Sequence, residues 1–233
     1  MIMKHLMILI SLILPCLLFS VAIKDIQFTM DAGFDGTYPS SYLNQQVSVE
    51  GVVIAKDFLG KFFVISEPQG GPWSAISVMS NSARVEIGNK VQVDGKVLEL
   101  HGMTCIRPSE VKVLSTEENL PLAYPVTLYE LNKSEAYESV LVKIVNVNIS
   151  KSRRNDFQYS VSSNTDTAYL SDGFGYFNKL KNKDFNNTLI SVTGIVSFSN
   201  NRFSLNPRDL NDLVYQVTGT KSNSWGKIKS LYR

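Results

Sequence analysis

Side chains that could carry out catalysis are scarce in this 233-residue chain. It contains two histidines, His5 and His101, and two cysteines, Cys16 and Cys105. Hydrolysis needs paired acids, a metal cluster, or a nucleophile beside its base, and no such grouping is visible. The sequence therefore predicts a protein that is not an enzyme and that uses no cofactor.

Two pairs of acidic residues come closest to a metal-binding pattern. They are Asp31 with Asp35 and Asp209 with Asp212, and all four fall in predicted loops. Loop carboxylates can hold Ca²⁺ through oxygen ligands. Aspartate is also a common residue of solvated turns, because its side chain bonds to the nearby backbone. We therefore interpret these four as turn residues and predict no metal site.

Aromatic and basic side chains occur together in two segments, a combination that suits binding. Aromatic rings stack on bases, each contributing roughly 1–3 kcal/mol, while Lys and Arg contact the phosphates. Aromatic faces serve sugars equally well. The candidates are Lys56, Phe58, Lys61, Phe63 and Trp73 in the first segment and Lys151, Arg153, Arg154, Phe157, Tyr159 and Tyr169 in the second. Alternate residues of a strand face opposite sides, so one of Phe62 and Phe63 must point into a core.

The N-terminal residues predict export. Lys4 and His5 precede an almost unbroken apolar run over 6–19, and small residues follow at 20–22. This is the pattern of a signal peptide, with cleavage expected after Ala22 and a secreted or cell-envelope location. Cys16 raises the alternative of a lipid-modified cysteine, but Pro15 stands where a small residue is expected. After cleavage Cys105 has no cysteine partner, so the domains must rely on apolar cores.

The charge is nearly balanced overall but differs between the two halves. Residues 24–118 contain 8 basic and 12 acidic residues, whereas 119–233 contain 14 basic and 9 acidic residues. Neither half has the dense basic surface of a high-affinity phosphate-backbone binder. The second half is the more basic of the two.

The chain contains an internal repeat. Residues 47–52 match 142–147 at an offset of 95, and 91–97 match 190–196 at an offset of 99. The second offset continues through 105–111 and 204–210. Three blocks in the same order predict a duplicated domain.

Each copy reads as five β-strands. In the first copy the patterns predict a long strand ending near Lys56, strands over 62–65 and 75–78, and two more separated by Gly102. The second copy predicts strands near 140–150, 156–162, 166–171, 188–198 and 202–206, after a connector with helical character over 126–137. Gly51 and Gly95 lie inside strands, where glycine marks a bulge or bend.

These features predict an all-β protein made of two tandem five-stranded OB-fold barrels after a cleaved signal peptide. A short helical turn is expected over 82–86, between the third and fourth strands of the first copy. We place the signal peptide at 1–22, the domains at 23–118 and 119–215, and a linker with a basic-aromatic tail at 216–233.

The segments 49–53, 62–65 and 70–76, which include the loop Gly70-Gly71-Pro72-Trp73, resemble the OB-fold domains of bacterial secreted nucleases and other exported bacterial proteins. In that group such domains precede a catalytic domain of the endonuclease/exonuclease/phosphatase type or a related one. The resemblance covers about 24–215 and implies contact with nucleic acid. No catalytic domain is visible in this sequence, and the second copy lacks the Gly-Gly-Pro-Trp loop.

The sequence leaves three functions open. The favoured one is an exported, non-catalytic protein that binds single-stranded DNA or RNA. The second is a surface structural or adhesive module that binds glycan or protein, and the third is an accessory subunit of a separate secreted nuclease. The tail places Trp225, Ile228, Leu231 and Tyr232 at helical spacing, which could dock on a partner or a membrane surface.

Overall fold

The protein is described here by a computed structural model that covers residues 20–79, 84–152, 159–175, 187–199 and 201–215. Within these ranges no helix combines the length and the apolar character needed to span a bilayer. The predicted signal peptide up to residue 19 and the predicted tail lie outside the described residues. So do residues 82 and 83 of the helical turn predicted at 82–86, and 84–86 are not helical.

Five strands close into the first barrel. They are β1 (Gln46–Lys56), β2 (Phe62–Ser66), β3 (Ala75–Met79), β4 (Lys90–Leu100) and β5 (Met103–Ser115). Neighbours follow the order β1-β2-β3-β5-β4, and β4 pairs back with β1. Only β3 and β5 run parallel. Such a closed five-stranded barrel is the OB-fold architecture that the repeat predicts.

Glycine allows the close approach of strands at the bend of the first barrel. A β-bulge shifts the register between Asp94 and Gly95. A Cβ atom on Gly95 would lie 2.5 Å from the carbonyl oxygen of Arg107, and one on Gly194, its partner in the repeat, would lie 2.7 Å from that of Asn206. Any side chain would force the strands apart at both positions. The predicted role of Gly95 as a bend residue is confirmed.

The second barrel repeats this order and adds short elements to it. The helical elements are α2 (Leu128–Lys133) and two 3₁₀ turns, Glu135–Tyr137 and Leu210–Asp212. The strands are β6 (Tyr124–Pro125), β7 (Leu141–Lys151), β8 (Tyr159–Ser162), β9 (Thr167–Leu170), β10 (Asn187–Ser199), β11 (Arg202–Asn206) and β12 (Leu213–Tyr215). The ring runs β7-β8-β9-β11-β10 and closes through pairing of β10 with β7. The predicted tandem-barrel fold is confirmed, and the predicted strands lie within a few residues of the observed ones.

Each barrel has a short helix before its first long strand. In the first barrel α1 (Ile23–Gln27) buries Ile23 and Ile26. In the second barrel α2 buries Leu128 and Leu131 at the same spacing of three residues. A capping box begins α2, because the side chains of Thr127 and Glu130 each accept the backbone N–H of the other residue. This helix confirms the predicted helical connector.

A short parallel pairing precedes each of these helices. In the second barrel β6 lies beside β7, and the N–H of Val126 donates to the carbonyl oxygen of Lys143 at 3.0 Å. In the first barrel Ser20 forms a parallel bridge with Ser48, and the N–H of Val21 donates to the carbonyl oxygen of Ser48 at 2.8 Å. Ser48 and Lys143 correspond at the 95-residue offset. The same backbone pairing therefore recurs at this offset, and in the first barrel it involves residues 20 and 21.

This pairing leads to a prediction about the N-terminus. A chain beginning at Ile23 should be less stable than one beginning at Ser20 by about 1–2 kcal/mol. It loses a backbone hydrogen bond and the half-buried side chain of Val21, and it places a charged amino group on a buried residue. Urea unfolding of the two chains measures the difference, and Val21→Ala in the longer chain isolates the side chain. Equal unfolding midpoints would show that the first barrel does not need this pairing.

The two barrels share one apolar core. Ile54 and Val64 of the first barrel belong to the same buried cluster as Leu131, Leu170 and Val196 of the second. We call this contact surface the seam. A second cluster, around Phe63, Ile65 and Val93, fills the interior of the first barrel.

Candidate ligand-binding faces

OB-folds usually bind ligands on the outer face of their second and third strands and on the adjoining loops. In the first barrel the register places Phe62 opposite Met79 and Val64 opposite Ser77. Phe63, the neighbour of Phe62, lies in the barrel interior. Phe62, Val64, Ser77 and Met79 therefore line the outer face.

The second barrel covers most of this outer face. The Ser77 hydroxyl lies 2.9 Å from the Ser139 hydroxyl, and the rings of Phe62 and Phe174 are 5.4 Å apart between centroids. The N–H of Thr104 on the adjacent strand β5 donates to Glu138 at 2.9 Å. An extended polymer therefore cannot lie along this face while the seam is closed.

The structure changes the interpretation of the first group of candidate residues. Phe63 is 1% exposed and packs inside the barrel, so it cannot stack on a ligand. Trp73 is half-buried, meets Phe28 edge to face at 5.4 Å, and donates its backbone N–H to Ala136 of the second barrel at 2.7 Å. These contacts give Trp73 a structural position at the seam.

The other three candidates of the first barrel lie around the loop between β1 and β2. Lys56 forms an ion pair with Glu86 and also donates to the carbonyl oxygen of Val85 at 3.2 Å. Phe58 is 69% exposed, and its backbone N–H donates to Phe174. Lys61 is exposed. The predicted cluster is thus split between a paired lysine, a loop aromatic and a lysine at the rim.

The corresponding face of the second barrel is formed by β8 and β9. Cross-strand pairing sets Ser160 opposite Tyr169 and Ser162 opposite Thr167. These four residues are half-buried or exposed. The alternate residues face the interior, and Tyr159 is one of them at 5% exposure. Tyr159 is therefore a core residue, contrary to its assignment as a ligand-binding candidate.

Hydroxyl groups continue around this outer face. The Ser150 and Ser160 hydroxyls lie 3.3 Å apart. Ser204, beside Tyr169 in the parallel register of β11 and β9, is fully buried and lies 3.1 Å from the Ser197 hydroxyl, so it is not available to a ligand. The face is polar, unlike the apolar face that the first barrel buries at the seam. It can offer hydrogen bonds and one half-buried aromatic ring.

The basic run of the second barrel begins at the end of β7. Lys151 is exposed and pairs with the core residue Tyr159 across β7 and β8, so its side chain leaves the sheet on the interior side, at the rim of the barrel. Arg153, Arg154 and Phe157 follow Lys151 in sequence and lie outside the described residues. The structure therefore places Tyr169 on the outer face of the second barrel and Lys151 at its rim, on the other side of the sheet.

Three glutamates at the seam are not among the residues predicted from the sequence. Glu138 is 2% exposed, and one of its oxygens has no hydrogen-bond partner. Glu99 also has one buried oxygen without a hydrogen-bond partner, and its other oxygen accepts from the Thr104 hydroxyl at 2.7 Å. Glu135 precedes Glu138 by one 3₁₀ turn. No sequence signal marks them, because their burial depends on the packing of two barrels.

Burial is the main cause of the altered acidity of these glutamates. It raises the pKa of Glu135 to about 7, with a further contribution from the charge of Glu99. Burial and then the charge of Glu135 raise the pKa of Glu138 well above its ordinary value. Burial also raises the pKa of Glu99. Within the described ranges no lysine or arginine forms an ion pair with any of the three.

The loop acids have structural partners. Asp31 and Asp35 accept backbone N–H groups two residues ahead, and Asp209 accepts from Asn211 in the same way. These three are the predicted turn residues. Asp212 is different, because it is buried and bound to Arg208. Across the described residues no three His, Cys, Asp or Glu side chains are arranged to hold a metal ion.

Comparisons with known proteins add little. No protein-family model matches the chain, and no curated protein is significantly similar. The structure of the hypothetical protein ygiW from E. coli is similar at a TM-score of 0.26 and 14% identity, over 31% of this chain and 77% of that chain. The tetrameric p202 HIN2 structure is similar at a TM-score of 0.33 and 14% identity, over 70% of this chain and 90% of that chain. Strand order and register, not these similarities, define the chain as a tandem OB-fold protein.

Proposed function

We propose that this is an exported, non-catalytic OB-fold protein that binds single-stranded nucleic acid on the β8–β9 face of its second barrel. The first barrel then has a supporting role, because its own ligand face is used to hold the second barrel. The observation that carries the proposal is the difference between the two faces. One is apolar and covered, and the other is polar and open to solvent in part.

The charge distribution supports the second barrel as the site of contact. Residues 119–233 contain five more basic than acidic residues, whereas residues 24–118 contain four more acidic than basic residues. A polyanion is therefore attracted to the second half of the chain and repelled by the first. Lys151 ends β7 at the rim of the second barrel, and Arg153 and Arg154 continue the basic run in sequence.

A labelled oligothymidylate of about 15 nucleotides, the upper range of one OB-fold site, tests this proposal by fluorescence anisotropy. Tyr169→Ala should weaken binding about tenfold, because stacking contributes roughly 1–3 kcal/mol per base. Lys151→Gln should reduce the slope of log affinity against log salt by about 0.7, the value for one lost phosphate contact on a single strand. Lys61→Gln on the first barrel is the matched control and should leave both quantities unchanged.

Two results would refute the proposal. The first is undetectable binding at low salt, and the second is an affinity that does not change between about 50 and 300 mM salt, since phosphate contacts must release counterions. Equal losses in Lys61→Gln and Lys151→Gln would also contradict the assignment to the second barrel.

The second candidate function is binding of a glycan on the same face. Its specific support is the hydroxyl lining, with Ser150, Ser160 and Ser162 beside the ring of Tyr169. A neutral oligosaccharide would bind with little dependence on salt and would still lose affinity in Tyr169→Ala. The salt titration therefore separates the two functions with the same pair of variants. An accessory role beside a separate nuclease requires the nucleic-acid result first.

A further inference from the structure

The open end of the first barrel's outer face contains a pocket of about 320 Å³. Phe62 and Met79, which are paired across β2 and β3, form one side. Leu100 and Met103, which are paired at the hairpin between β4 and β5, form the opposite side. Cys105 also lines the pocket. The pocket lies in the first barrel, away from the proposed nucleic-acid face.

Among the described residues that line the pocket, Lys61 alone is charged. Burial raises the pKa of the Cys105 thiol to about 11, so this thiol is neutral at physiological pH. The Ser77 hydroxyl is already engaged by Ser139 at 2.9 Å. The remaining walls are apolar side chains. An occupant therefore needs an apolar body and gains a favourable charge contact from an anionic group placed near Lys61.

The second barrel limits the length of the occupant. Phe174 packs on Phe62 at one end of the face, and the Phe198 ring lies against Gly102, where a Cβ would be 2.7 Å away. A pocket of about 320 Å³ is at the lower end of the range for small-molecule sites. It suits a small molecule and is too short for an extended polymer.

We propose that this pocket binds a small amphipathic anion, of the size and character of a medium-chain carboxylate, with its apolar chain between Met79 and Met103 and its carboxylate at Lys61. The juxtaposition of an apolar cleft with one lysine at its rim carries this proposal. Burial of the anion's apolar chain and one partly solvated ion pair with Lys61 would stabilise the bound state.

Octanoate is a suitable probe, and the methionine methyl groups report its binding directly. In protein labelled with ¹³C at the methionine methyls, saturating octanoate should shift the Met79 and Met103 signals and leave that of the exposed Met30 unchanged. Met79→Trp fills the pocket and should abolish the shift at Met103. Lys61→Gln should weaken octanoate about threefold to fivefold, which corresponds to one exposed ion pair.

Octanol, which has the same chain without the charge, is the matched ligand. Its affinity should not change in Lys61→Gln, and neither ligand should be affected by Lys151→Gln on the other barrel. Absence of saturable shifts up to about 10 mM octanoate, a range typical of the weakest specific ligands, would overturn the proposal. So would equal octanoate affinity in the wild type and Lys61→Gln. Either outcome leaves the nucleic-acid proposal untouched, because that proposal depends on Tyr169 and Lys151, and Lys61→Gln serves there only as the control.

Discussion

Raising the pH from 5 to 8 should lower the midpoint of thermal unfolding by about 5 °C. The cause is the group of three glutamates at the seam. Glu99 extends from β4 of the first barrel, while Glu135 and Glu138 lie in the 3₁₀ turn before β7. All three have raised pKa values, with burial as the largest cause.

The direction follows from which state binds more protons. In the unfolded chain these carboxyls titrate near 4.5, whereas in the folded protein Glu135 titrates near 7 and Glu138 higher than its ordinary range. Between these values the folded state binds more protons than the unfolded state. Stability is therefore fully present below about pH 4.5 and decreases as the pH rises through 7.

The surroundings of the group strengthen the effect. Asp35 adds a negative charge that raises the pKa of Glu99 further. Of the neighbours on β5, Cys105 is a neutral thiol and Arg107 is exposed. For Glu135 alone the shift corresponds to roughly 2 kcal/mol after allowance for its partial exposure to solvent. One kcal/mol changes the midpoint by about 2–4 °C in a protein of this size.

Glu138→Gln tests the cause. Glutamine keeps an acceptor for the Thr104 N–H but carries no charge, so the variant should lose the contribution of Glu138 to the pH dependence, keep that of Glu135, and be the more stable protein at pH 8. Glu110→Gln, which removes a half-exposed acid of β5 paired with Lys112, should retain the wild-type dependence. The range from pH 5 to 8 avoids Asp94 and Glu130, whose lowered pKa values affect stability under more acidic conditions. A midpoint at pH 8 equal to that at pH 5 would contradict this account.

The strands were predictable because their patterns are local. Alternating apolar and polar residues and β-branched residues predict β1 to β5 and their counterparts in the second copy. The internal repeat then predicts that the second copy has the same fold as the first. Gly95 was predictable for the same reason, since a glycine inside the alternating valine pattern of 91–97 indicates a bulge or bend. Which residue of a pair faces inward could not be read from Phe62 and Phe63 alone, because the register of the barrel decides it.

The candidate site was predicted less well, because it depends on contacts between distant parts of the chain. Nothing in residues 62–79 indicates that the second barrel covers the outer face of β2 and β3. The sequence therefore predicts Trp73 as a ligand contact, although it lies at the seam. Tyr159 was misassigned because the phase of a four-residue strand is not fixed by its own sequence. Tyr169 needed only the correct strand order, whereas Lys151 lies opposite the core residue Tyr159 and so at the rim of the barrel, not on the face of Tyr169.

Arg208→Met should reduce the free energy of unfolding by about 3–4 kcal/mol, because it leaves a buried carboxylate without its partner. Asp212 is 6% exposed and accepts from the Arg208 backbone N–H at 2.8 Å, from Nε at 3.0 Å and from Nη2 at 2.9 Å. Nη1 of Arg208 also donates to the carbonyl oxygen of Ile54 in the first barrel at 3.4 Å. The same guanidinium thus neutralises Asp212 and connects the two barrels.

A double-mutant cycle separates these contributions. If the cost comes from the unpaired carboxylate, Arg208→Met combined with Asp212→Asn should recover most of the stability that Arg208→Met loses, since a neutral amide is far less costly to bury than a charge. If the cost comes mainly from the bond to Ile54, the second substitution should recover nothing. Arg202→Met, at an exposed position of β11, is the control and should change the unfolding midpoint in urea very little. A loss below about 1 kcal/mol in Arg208→Met, the size of an ordinary surface ion pair, would show that Asp212 does not depend on the guanidinium.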